Sequence, residues 1–156
     1  MRTPGISGTL AFTEGVFTGP LFGALAVSNV NPTVGNIVGV PSDVAGSPIN
    51  GAAIQILLLT GAQVGVFTYT LPSVASIVAA QSAPYAQQDI VFWQYMLRVV
   101  NVGTTQTVTI VAPAAGGWTF SGGLLTAPSN TTRDFLVQIT SPTTANLLSI
   151  GTGNYS

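Results

Sequence analysis

The chain has 156 residues, a single-domain length that buries roughly 70% of its unfolded surface. Only 4% of them are charged, against about 25% in ordinary soluble domains. Three basic residues, Arg2, Arg98 and Arg133, cannot neutralise a phosphate track, so nucleic acid is excluded as a partner.

Charge poverty has two explanations, and the sequence separates them. A membrane-spanning helix needs about 20 uninterrupted apolar residues. The best windows, "LFGALAVSNVNPTVGNIVGV" and "AAIQILLLTGAQVGVFTYTL", are broken by Asn, Gln, Gly or Pro, so no membrane insertion is expected. No basic stretch leading into an apolar run follows Met1, so no secretory signal is expected either. The remaining explanation is a surface of Thr, Ser, Asn, Gln and Gly that neighbouring molecules cover. At a net charge of −1 such a surface offers little repulsion between copies, and association follows.

Along the chain, residues 1–50 hold eight Gly and five Pro, in pieces such as "TPGISG" and "FTGPLFG". Pro at this density interrupts ladders and Gly weakens strands. The segment reads as an extended Gly/Pro-rich anchoring arm with short strands, and residues 51–156 as the folded domain. Deleting the arm is then expected to leave a folded domain that no longer attaches.

From Ala52 onward, short runs rich in Val, Ile, Thr and aromatics alternate with turn signals. Strands are predicted over 53–60, 64–71, 90–101, 106–112, 117–121, 123–127, 132–140 and 144–150. The fold class is therefore all-β, an antiparallel eight-stranded sandwich or jelly roll. One segment breaks the pattern. Ser73–Gln81 reads as a short helix, with Ser73 as N-cap and Val74, Ile77 and Val78 on one buried face. It carries no charge, so its expected role is to cover an end of the sandwich.

No chemistry is visible. His, Cys and Lys are absent, which removes the usual general base, thiolate and Schiff-base groups. A carboxylate pair for glycoside hydrolysis is arithmetically possible, Asp89 with Asp134 for example, and a solvated turn acid and a strand acid explain both more simply. The chain is expected not to be an enzyme and to hold no cofactor or metal.

The strand "IVFWQYMLRVVN" is apolar on both faces, and such a strand has a cover on each side. Val91, Trp93, Tyr95, Leu97 and Val99 share one face; Ile90, Phe92, Gln94, Met96, Arg98 and Val100 share the other. The second face predicts a subunit interface of Phe92, Gln94, Met96 and Arg98, joined by Asp134 and Leu136 from "TTRDFLVQI". Residues 1–50 are the competing cover. Arg98 is the expected donor to Asp134, within or between protomers. Trp118 and Tyr155, near loops, are candidate glycan contacts. Asn130 in "NTT" and Asn154 in "NYS" are candidate glycosylation sites.

The order of three pieces carries a family resemblance: "FTYTLPSVASIVAA", then "RVVNVGTTQTVTIVAPAAGGWTFSG", then "TTRDFLVQITSPTTANLLSIGTG". It resembles repetitive virion-surface proteins of large double-stranded DNA viruses and tailed phages, over roughly residues 54–153. The resemblance implies a homotrimeric, tumour-necrosis-factor-like jelly roll on the outer capsid surface. No coiled-coil or triple-spiral stalk is present, which favours a cap or decoration over a fibre head. Its partners would be itself and major or minor capsid proteins. The alternative is a carbohydrate- or host-receptor-binding adhesin head, with host-surface glycans as partners.

Overall fold

A computed structural model describes residues 25–30, 36–45, 54–60, 65, 67–81, 93–102 and 106–154. Among the described residues, ten strands and two helices follow in chain order: β1 (Leu25–Val30), β2 (Ile37–Val38), α1 (Pro41–Ala45), β3 (Ile54–Leu59), β4 (Phe67–Thr70), α2 (Val74–Gln81), β5 (Gln94–Asn101), β6 (Val108–Val111), β7 (Trp118–Gly122), β8 (Thr126–Ala127), β9 (Thr131–Ser141) and β10 (Thr144–Asn154). The protein is all-β in character, and its strands form two sheets. The six-stranded sheet has the order β1-β3-β5-β9-β10-β7, and the four-stranded sheet the order β2-β4-β6-β8.

Each strand predicted beyond residue 51 has a counterpart, and the alternation of residues sets which side faces the core. Leu57, Leu59, Leu97, Val99, Phe135, Val137 and Leu147 from the large sheet are fully buried against Tyr69 and Ile110 from the small one. At roughly 1.5–3 kcal/mol for each large apolar side chain removed from water, this inter-sheet layer is the main source of stability.

The pairing departs from the antiparallel expectation. β5–β9, β9–β10 and β6–β8 are antiparallel. By contrast β1–β3, β3–β5, β2–β4, β4–β6 and β7–β10 are parallel. From β1 to β6 the chain steps from one sheet to the other and back, so each strand returns beside the one two strands earlier. Parallel neighbours need a long crossover, and here the strand in the opposite sheet lies within it. Alternation of side chains has the same period in both kinds of ladder, which is why the sequence could not tell them apart.

The described part of residues 1–50 packs with the strands that follow it. β1 pairs with β3 and β2 with β4, and Val44 of α1 is fully buried in the common core. The short strands of that segment belong to the two sheets.

α2 forms where the sequence placed it. The Ser76 N–H donates to Ser73 Oγ at 3.2 Å, and Val74, Ile77 and Val78 are fully buried. Its first turn is fastened to the start of β7, where the Val74 N–H donates to the Gly116 carbonyl at 2.9 Å. The Trp118 indole N–H donates to the Pro72 carbonyl at 2.8 Å. Gly117, at φ 78°, lies so close to the Thr143 carbonyl that a Cβ there would collide with it.

α1 was not foreseen. Its signal is Pro41 at the first helical position and Asp43 two residues later: Asp43 Oδ2 accepts from the Val40 N–H at 3.0 Å. The same oxygen accepts from the Tyr69 hydroxyl at 2.9 Å, and Gln55 Nε2 donates to the Asp43 carbonyl at 3.0 Å. These bonds tie α1 to a strand of each sheet.

Candidate subunit interface

The face of the six-stranded sheet turned away from the core has a banded composition. On β3 the outward residues are Ile54, Ile56 and Leu58, and on β5 they are Gln94, Met96 and Arg98. On β9 they include Asp134, Leu136 and Gln138. Cross-strand register lines them up across the sheet.

Ile54 lies opposite Met96, Met96 opposite Leu136, and Leu136 opposite Leu148. Ile54, Met96 and Leu136 are half-buried, and Leu148 is 36% exposed. On one side of this apolar row is a polar one, Gln94–Gln138–Asn146–Thr119, with Asn146 Nδ2 donating to Gln138 Oε1 at 3.3 Å. On the other side is Val27–Ile56–Arg98–Asp134.

Arg98 and Asp134 are direct cross-strand partners and form a bidentate pair. Arg98 Nε donates to Oδ1 at 2.7 Å and Nη2 to Oδ2 at 2.8 Å. Their side chains are 42% and 18% exposed. At that exposure the pair contributes about 0–1 kcal/mol to the single chain. Its surroundings are apolar, so covering it would change that value sharply.

The structure thus gathers Gln94, Met96, Arg98, Asp134 and Leu136 on one surface across two adjacent strands; Phe92 lies outside the described residues. Sequence reasoning missed Ile54, Ile56 and Leu148, which extend the apolar and mixed rows. The run "IQILLL" in β3 is apolar on both faces, the same signal that singled out β5. Its neighbour relation to β5 is not local and had no signal.

The remaining site residues fall elsewhere. Trp118 is half-buried against the core and spends its N–H on Pro72, so it serves the fold; Tyr155 lies outside the described residues. Asn130 is exposed in the turn before β9, at φ 56°, and Asn154 is the last residue of β10. Arg133, near the start of β9, is only 8% exposed and donates from Nε to the Thr126 carbonyl at 3.0 Å.

No family model, curated protein or solved structure matches this chain. Among the described residues, no helix is long and apolar enough to cross a membrane.

Proposed function

We propose that the protein is a non-enzymatic structural component of a virion, a homotrimeric cap or decoration attached to capsid proteins on the outer capsid surface. The observation that carries the assembly part is the outer face of the six-stranded sheet. It presents a cross-strand row of Ile54, Met96, Leu136 and Leu148 beside a single ion pair. An apolar sheet face of this kind is covered in a working molecule. A chain with 4% charge has little else to keep its copies apart. The virion setting is supported by the ordered resemblance of "FTYTLPSVASIVAA", "RVVNVGTTQTVTIV" and "TTRDFLVQITS" to virion-surface proteins.

Size-exclusion chromatography with light scattering tests the assembly. The expected mass is that of three chains of 15.9 kDa, and a stable, folded monomer at micromolar concentration overturns it. Mass spectrometry of purified virions tests the location, because the protein must be present in stoichiometric amount. The adhesin-head reading leaned on Trp118, whose indole N–H is engaged inside the fold; a glycan array is its test.

A further inference from the structure

The edges of the sheets carry an inference about how copies meet. Among the described residues, β1 and β7 bound the six-stranded sheet, and β2 and β8 bound the smaller one. Natural proteins guard such edges with charged residues, proline or bulges, because an unpaired row of N–H and C=O groups is a template for another strand. Here the edge strands read "LAVSNV", "IV", "WTFSG" and "TA". None contains a charge or a proline.

Apart from Val102, 39% exposed after β5, the large apolar residues left in solvent among the described residues gather at the same two margins. Val27 is 57% exposed, Val38 76% and Val40 53% on the side of β1 and β2. Leu124 at 67%, Leu148 at 36% and Ile150 at 49% lie on or beside the β7 side.

Strand direction completes the match. β1, β3 and β5 run together, β9 opposes β5, β10 opposes β9, and β7 runs with β10. β1 and β7 therefore point the same way on opposite margins of one sheet.

We propose that β7 of one copy pairs in parallel with β1 of the next, continuing the six-stranded sheet from protomer to protomer. The partner is a second copy of this chain. Neither margin brings a charge to the junction, so no like charges meet, and main-chain hydrogen bonds supply the direction. The contact is heterologous, using two different surfaces of each copy. In a closed ring every protomer gives one β1 and one β7, and both margins of each six-stranded sheet are paired. This rests on the self-assembly reading above and adds an edge contact to the face contact proposed there.

The chain has no cysteine, which makes the test direct. Val27→Cys and Thr119→Cys place one thiol on each margin, both on the outward face of the sheet, for linking with a short bis-maleimide in the full-length chain. The double variant is expected to link into species of two and three chains on a denaturing gel, while each single variant stays unlinked. Single variants that link as readily as the double variant overturn the proposal in favour of a two-fold contact. A double variant that stays unlinked while light scattering reports a trimer also overturns it, provided Ser121→Cys in place of Thr119→Cys gives the same result. In that case the trimer survives and is built on another surface. A protein that light scattering shows to be monomeric removes both readings.

Discussion

Tyr69 and Tyr95 are both buried tyrosines, and their hydroxyls have opposite circumstances. Tyr69 donates to Asp43 at 2.9 Å, whereas the Tyr95 hydroxyl has no hydrogen-bond partner among the described residues. Removing a donor from a buried carboxylate costs about 1.5–3 kcal/mol, while removing an unsatisfied hydroxyl costs little. Tyr69→Phe should therefore lower the urea midpoint clearly, and Tyr95→Phe should leave it unchanged or raise it. Both hydroxyls also hold their protons far into alkaline solution. Burial pushes Tyr69 up, with the neighbouring Asp43 charge adding to it, and burial alone pushes Tyr95 up. An unfolded tyrosine loses its proton near pH ~10, so above that pH the unfolded state binds fewer protons than the folded one. Stability is then fully present below pH ~10 and falls as the pH rises beyond it. Urea unfolding at stepped alkaline pH should show this fall, with a shallower slope in either Phe variant.

Among the elements, α2 depends on its cap and on a close backbone approach. Ser73→Ala removes the acceptor for the Ser76 N–H and should cost about 0.5–2 kcal/mol in chemical denaturation. Deleting residues 1–50 removes β1, β2 and α1, including the fully buried Val44. It also leaves Gln55, 1% exposed, without the Asp43 carbonyl it donates to. The truncated chain is therefore expected to lose cooperative unfolding and near-ultraviolet dichroism, the reverse of what the sequence suggested. What the sequence could and could not show follows the range of the interactions. Phe135, Val137 and Ile139 announce their face by alternation within one strand, and Ser73 announces α2 within one turn. The inward and outward residues of β5 were readable for the same reason. By contrast, the neighbours of β3 depend on contacts between residues a full circuit of the chain apart. Pro and Gly near β1 and β2 suggested an arm, because composition reports local ladder strength and not whether a partner strand waits in the sheet.

For the whole molecule, the value of the Arg98–Asp134 pair depends on what lies over it. In the isolated chain it is a surface pair contributing about 0–1 kcal/mol. Covered by a neighbour among Met96, Leu136 and Ile56, it would be a buried pair, and removing one partner would cost about 3–5 kcal/mol. Arg98→Ala and Asp134→Ala should each weaken assembly, and the double variant should lose little more than either alone. Dissociation followed by light scattering on dilution measures this double-mutant cycle. Additive or negligible effects would return both residues to solvent.

The order of the strands also bears on when the chain can fold. β9 and β10 are joined by a turn at 142–143 and meet early, since a hairpin closes in about 1–10 μs. The β1–β3–β5 ladder links distant parts of the chain, and such pairings are slow because loop closure must precede any gain. During synthesis the N-terminal strands emerge first, yet β5 waits for β9, which in turn waits for β10. A nascent chain stopped before residue 131 therefore presents the long β5 margin, bare and nearly uncharged, in a form prone to aggregate. Efficient production of this protein thus depends on finishing its last two strands.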